Sequence, residues 1–286
     1  MINTYGYNLE PGAKQLEALN YYTNEMVKIP LDPTKTPGEN AQKYFDKYNK
    51  QKRTFEALSS LIQETQEDAI KQCARLIADA YISNHTFFVS GSGHSHTVSE
   101  EFYGRAGGLA FTVPILTSEL TMTEHPTKSS YIEKLSGYAE ILCELYHIQE
   151  GDVVLIASNS GRNAYPVELA QCAKEKGAKV VAITSVAHSS ATTSRAKSKQ
   201  KLMDIADVVI DNCGVLGDAC LKMEGMDTWM MPTSSIANAF IVQAVSVLSA
   251  QYIMEAGKEA PVFVSLNGHA DQSVNDELYR KYTRLY

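Results

Sequence analysis

The feature that most constrains the fold is a pair of short, wholly apolar runs, residues 153–157 (VVLIA) and 180–183 (VVAI). They stand either side of "SNSGRNAYPVELAQCAKEKGAK". A strand buried on both faces reads as a continuous apolar run, whereas a half-buried strand alternates. Two such runs joined by a helix-like segment, here 167–176, make a βαβ unit with parallel strands. The rhythm recurs along the chain. "TFFVS" (86–90), "FTVPIL" (111–116), "VVAIT" (180–184) and "ADVVID" (206–211) read as strands, and 95–103, 131–146 and 235–255 as helices. The expected fold is α/β: a three-layer α/β/α sandwich around a doubly wound parallel sheet.

The N-terminal part follows another rule. Residues 1–38 carry Pro30, Pro33, Pro37 and Gly38 and read as extended or irregular chain. From residue 39 to about 81 neither proline nor glycine occurs. Leu58, Leu61, Ile62, Ala69, Ile70, Cys73, Leu76, Ile77 and Tyr81 recur there at three- and four-residue spacing, which predicts an amphipathic helix. Thr36 or Asn40 is placed to cap it, and 63–66 is the place for any break. Phe45, Tyr48, Phe55 and Leu58 need burial, so the segment is expected to be a helical arm packing on a neighbouring subunit. The expected division is an arm, 1–64, and a domain, 65–286.

Composition excludes several classes. The net charge of -7 disfavours a nucleic-acid partner. The five cysteines (Cys73, Cys143, Cys172, Cys213, Cys220) include no C-x-x-C pair and are odd in number, which fits a reduced cytoplasmic protein without a disulfide or zinc framework. No apolar run is expected to reach the ~20 residues that span a bilayer, and the N-terminus lacks the basic-then-apolar pattern of a secretory signal.

The strand ends are where function is expected, because ligands of open α/β sheets bind beyond the carboxyl ends of the strands. "GSGHSH", "SNSGRN" and "SVAHSS" follow three strands, and "PTSS" precedes the long C-terminal helix. Helix N-termini offer unpaired N–H groups to an anion, glycine lets the backbone come close, and serine adds a compact donor. A lone serine there is more often a helix cap; four serine-rich helix starts favour a phosphate pocket. His96 breaks the G-x-G-x-x-G spacing of a dinucleotide site, and no G-x-x-x-x-G-K-[ST] occurs.

"FFVSGSGHSHTVSEEFYGRAGG", "VVLIASNSGRNAYPVELA", "KVVAITSVAHSS", "ADVVIDNCG" and "PTSS" together resemble the sugar isomerase (SIS) domain, and more closely the stand-alone bacterial proteins of that family. The resemblance spans roughly residues 65–275. It implies a phosphosugar-binding fold that commonly forms dimers or tetramers. Ser95, Ser158 and Ser160 fall at the positions that hold the phosphate in SIS isomerases, Asn163 stands where those often have threonine, and Thr184 and Ser185 fall at the next strand end, where family members also bind ligand. Gly93, Asn159 and Gly161 lie in the same turns, and Thr233 and Ser234, at the start of the last helix, are expected to form a fourth wall of the phosphosugar site. A separate stretch, "IPLDPTKTPGENAQKYFDKYNKQKR", resembles the coiled-coil entry of fibronectin-binding-protein-A-like (NFACT) proteins; no function is carried over from it.

Aldose–ketose isomerisation requires a base that moves a proton between neighbouring carbons. "SEEFYGRAGG" is similar to the corresponding stretch of phosphoheptose isomerases and makes Glu100 the expected base. Glu101 and Arg105, four apart, read as an ion pair. His94 and His188 are the histidines fixed near strand ends and are expected to assist. No metal-ligand spacing is present, so neither metal nor other cofactor is expected. The leading expectation is a phosphosugar-binding isomerase. The alternatives are a non-catalytic sugar-phosphate sensor and an etherase or lyase acting on a phosphorylated amino sugar.

Overall fold

In the computed structural model the described residues among the first 38 are more ordered than expected. Helix α1 (Ile2–Tyr5) is followed by strands β1 (Gln15–Asn20) and β2 (Glu25–Pro30), paired antiparallel with Gln15 opposite Pro30. The reason is a period-two pattern in "QLEALN". It turns Leu16 and Ala18 inward, where they join Ile2 and Leu31 in a small core, and leaves Gln15 and Glu17 exposed. The structure describes residues 1–6, 9–10, 12–20, 24–267, 271 and 273–282. It divides into two units, Met1–Leu58 and Ser59–Tyr286.

Helix α2 (Pro37–Ile82) runs 46 residues and passes through 63–66, the place given for any break, without interruption. Gln, Glu and Thr are tolerated in helix interiors, and no glycine or proline occurs beyond Gly38 to stop it. Its start is a reciprocal cap. The Glu39 N–H donates to Thr36 Oγ1 (3.2 Å), and the Thr36 N–H donates to Glu39 Oε2 (2.7 Å). Pro37 takes the first helical position, which lacks an N–H partner in any case. Asn40, the other cap candidate, instead ties the preceding loop: its Oδ1 accepts from the Asp32 N–H at 2.8 Å.

The second unit is the expected sandwich. Strands β3 (Phe87–Gly91), β4 (Thr112–Ile115), β5 (Val153–Ala157), β6 (Lys179–Thr184) and β7 (Val208–Asp211) form a parallel sheet in the order β4-β3-β5-β6-β7. Helix α3 (Thr97–Phe102) follows β3, after a 3-10 turn at Gly93–His96; the Phe102 ring meets Phe87 edge-on at 5.3 Å on one face. On the other face Phe88, Val154, Ile156, Val180 and Ala182 pack with α5 (Tyr138–Leu145) and α6 (Ala164–Glu175). A single helix over 131–146 was expected. The chain instead forms α4 (Lys128–Ile132) and then α5, divided at Gly137 (φ 89°). The break is held by Glu168, which accepts from Ser136 Oγ (2.6 Å) and the Gly137 N–H (2.7 Å).

After β6 come the short helices α7 (Val186–Ser190) and α8 (Leu202–Ile205), and after β7 an unexpected hairpin of β8 (Ala219–Lys222) and β9 (Trp229–Pro232). Helix α9 (Thr233–Glu255) packs against α3, and α10 (Ser273–Tyr282) follows. By length and composition α9 could cross a membrane, contrary to the expectation that no apolar run reaches that length. Within this unit its apolar residues have a use: Ala237, Ile241, Val242, Val245 and Ile253 are core.

Candidate functional site

The sheet order creates one special crevice. From β3 the chain steps outward to β4 and then returns to the opposite side of β3 to form β5. At such a reversal the turns following the two central strands diverge and leave a cleft at their carboxyl ends. The cleft between β3 and β5 is therefore walled by 91–96 on one side and 158–163 on the other.

The first wall is a tight turn. A side chain on Gly91 would place its Cβ 2.3 Å from the Ser95 carbonyl oxygen, so only glycine allows the chain to fold back here. Gly93 is left-handed (φ 57°), and its N–H donates to the Leu120 carbonyl at 2.9 Å. Ser95 is half-buried and His94 exposed. His96 is buried, with Nδ1 against the Gly93 carbonyl and Nε2 3.4 Å from Glu100 Oε1. The Glu100 side chain is 54% exposed. Glu101 pairs with Arg105, as expected, and also accepts from Gln243 Nε2 at 2.7 Å.

The second wall is built the same way. Ser158 Oγ accepts from the Gly161 N–H at 3.2 Å. Gly161 is left-handed (φ 58°), and a Cβ there would lie 3.2 Å from Leu202 Cβ. Asn159 and Ser160 remain half-exposed. Asn163 stands at the start of α6 without capping it through its side chain.

The two walls meet at a residue that the sequence pattern did not reveal, Glu133. Its Oε2 accepts from Ser92 Oγ (2.6 Å) and its Oε1 from Asn163 Nδ2 (2.7 Å). Arg195 Nη1 donates to the other end of the Asn163 amide at 3.1 Å. Burial pushes the Glu133 carboxyl above the ordinary carboxylate range, against the Ser92 hydrogen bond and the Lys134 and Arg195 cations, which pull it down. No lysine or arginine reaches ion-pair distance of it among the described residues.

Other expected site residues are placed differently. Thr184 and Ser185 are fully buried and bonded internally, Thr184 Oγ1 to the Asn159 carbonyl (3.2 Å) and Ser185 Oγ to the Gly214 carbonyl (2.7 Å). Ser185 Oγ also accepts from the His188 N–H at 3.1 Å and so caps α7. His188 Nδ1, Arg162 Nε and Ser189 Oγ are buried without a hydrogen-bond partner. At the start of α9, Ser234 Oγ and N–H both donate to the Asp218 carboxylate (2.7 and 2.8 Å), and Thr233 Oγ1 lies 3.1 Å from it. An internal anion thus already occupies that helix N-terminus. Asn212 Nδ2 joins Asn159 Oδ1 (3.1 Å) to Asn238 Oδ1 (3.0 Å) and locks the β5, β7 and α9 ends together. Among the described residues no group of three or more His, Cys, Asp or Glu is arranged to hold a metal ion.

Sequence comparison places this architecture. The chain is 41% identical over 230 residues to the UPF0309 protein of Halalkalibacterium halodurans, covering 80% of this chain and 95% of that one. It belongs to the UPF0309 family. A UPF0309 protein of Brucella anthropi is 40% identical, covering 75% of this chain and 87% of its own. Residues 50–185 of this UPF0309 chain match the SIS domain family, and residues 1–80 match the NFACT N-terminal and middle domains. Both resemblances read from the sequence are therefore present. Among solved structures, a phosphoheptose isomerase from Neisseria gonorrhoeae aligns at TM-score 0.49 and 14% identity, over 73% of the UPF0309 chain and 98% of its own. A phosphoheptose isomerase from Francisella tularensis aligns at TM-score 0.45 and 17% identity, over 72% and 98%.

Proposed function

We propose that the crevice between the ends of β3 and β5 binds a phosphorylated sugar, and that the protein isomerises it between aldose and ketose. The observation carrying this reading is the pair of facing turns, each closed by a glycine and each presenting serine. Ser95 and the Gly93 turn supply one side; Ser158, Asn159, Ser160 and Gly161 supply the other. Hydroxyls and backbone N–H groups held in fixed turns suit the oxygens of a phosphate without requiring a cation. Thr184 Oγ1 and the Ser185 N–H both donate to the Asn159 carbonyl and so support the second turn, and Thr233 and Ser234, bound to Asp218, are offered as a further wall at the start of α9. His94, exposed in the turn after β3, and His188, on α7, are offered as the assisting histidines of the crevice, and Arg162 lies in the second turn.

The protein is read as cytoplasmic and as a dimer or tetramer of its own chain. The outward side of α9, where Val247 and Met254 are exposed, is offered as the contact between copies. A second reading has an observation of its own. Glu100 is solvent-exposed and tied to His96, which suits a sugar-phosphate sensor without turnover.

Thermal shift tests the binding reading. The panel is hexose, pentose and heptose phosphates, their unphosphorylated parents, inorganic phosphate and nucleotides. A native-state ligand raises the melting temperature by mass action. Stabilisation by a sugar phosphate and not by its parent sugar is the expected result; stabilisation by nucleotides alone overturns it.

A further inference from the structure

We infer that Glu133 is the acid–base residue of this crevice: its carboxylate removes the proton from the carbon beside the carbonyl of a bound sugar phosphate and returns it to the neighbouring carbon. This rests on the phosphosugar reading above and adds the chemistry to it.

Position argues first. Glu133 joins the two walls at the reversal point of the sheet, through Ser92 on one side and Asn163 on the other. Its main chain is fixed as well. Its N–H donates to the Ser129 carbonyl (2.9 Å) and its carbonyl accepts from the Tyr165 N–H (2.9 Å). A base held at both its backbone and its side chain is pre-oriented for the reacting atom. Each carboxylate oxygen accepts one hydrogen bond in the structure and has room for another, so proton transfer leaves both supports in place.

The neighbouring carboxylates are otherwise engaged. Glu100 is turned to solvent and His96, Glu101 is held by Arg105 and Gln243, and both oxygens of Glu168 are consumed at the Gly137 break. Glu133 alone among these four is recessed between the two turns and free of an ion pair. Its burial raises the affinity for a proton, as acid–base work near neutral pH requires.

The step balances within substrate and protein. The C–H bond breaks toward Glu133. Its electron pair becomes the C=C bond of an enediolate as the carbonyl pair moves onto oxygen. Glu133 then delivers the proton to the former carbonyl carbon, while the hydroxyl proton passes between the two oxygens. No oxidant or reductant is needed.

The test is deuterium uptake at C1 and C2, followed by proton NMR in D2O. The probes are glucose 6-phosphate, fructose 6-phosphate, arabinose 5-phosphate and sedoheptulose 7-phosphate, with thermal shift on the same samples. Wild type is expected to exchange at least one probe. Glu133→Gln should lose ~10²–10⁴-fold in rate, the usual worth of a general base, while keeping its ligand-induced thermal shift. Glu140→Gln, an exposed carboxylate on α5, serves as the control that keeps wild-type exchange. If Glu133→Gln does not fold, Ser92→Ala gives the second readout. Removing that donor should move the acid limb of exchange to higher pH, because the hydrogen bond favours the ionised form; Lys134 and Arg195 remain as the cations acting on the group. Exchange in Glu133→Gln within threefold of wild type overturns the inference, as does an unmoved acid limb in Ser92→Ala. Binding without exchange in wild type also overturns it and leaves the binding reading standing. A panel that shifts nothing overturns both.

Discussion

Ser92 and Glu133, 41 residues apart in the chain, share a 2.6 Å hydrogen bond that fastens the turn after β3 to the segment after α4. With Asn163 completing the tie at 2.7 Å, a recessed carboxylate is held across the crevice by two uncharged donors. An uncharged donor compensates less of the burial cost than a cation does, so the carboxyl stays easily protonated.

That raised proton affinity has a stability signature. A carboxyl with a higher pKa in the folded than in the unfolded state contributes most below the unfolded value. The contribution is lost as pH rises through the folded value. The melting temperature of wild type minus that of Glu133→Gln should therefore fall as pH rises above about 4, the range of an unperturbed glutamate. Paired melts across that range check it, and a difference that rises with pH contradicts it.

Asp152 is a second buried carboxylate, with a structural task. Its Oδ1 accepts from the Thr86 N–H (2.8 Å) and its Oδ2 from the Gln149 N–H (2.9 Å), which aligns the starts of β3 and β5. Asp152→Ala leaves two backbone donors unpaired and should cost about 2–4 kcal/mol in urea unfolding.

Gly91→Ala tests the first wall. The 2.3 Å approach to the Ser95 carbonyl involves backbone on both sides, so the turn must move. The expected result is a loss of about 2 kcal/mol or more and abolition of the sugar-phosphate thermal shift. A variant that keeps the full shift shows that the 93–95 turn does not carry the ligand.

Asp218 combines a left-handed backbone (φ 69°) with the cap of α9. Asp218→Ala loses the cap and keeps the strain, at about 1–2 kcal/mol. Asp218→Gly loses the cap and relieves the strain, so it should be the milder change by about 1 kcal/mol. Equal losses would place the whole effect in the cap.

The strands were legible because burial on both faces writes itself into consecutive residues, as in Phe87–Gly91 and Val153–Ala157. The glycine-closed turns were legible because their composition is local. Glu133 was not, since its partners lie 41 and 30 residues away and nothing in "SSYIEKLSG" marks it. Thr184 and Ser185 carried the opposite risk. Their strand-end place and the family resemblance made them expected ligand donors; their hydroxyls donate to the Asn159 and Gly214 carbonyls, a pairing no local sequence signal shows. The β1–β2 hairpin was obscured by prolines around it, although Leu16 and Ala18 kept the strand period.

The amide of Asn163 presents its NH2 to a carboxylate and its oxygen to a guanidinium. It acts as an insulator of sign. The positive charge of Arg195 is felt across the amide, but the two ions are kept from meeting and cancelling. Threonine at this position, with a single hydroxyl, could not answer both neighbours through separate atoms. Aspartate would set two negative groups face to face. Asparagine answers the carboxylate and the guanidinium through two separate atoms.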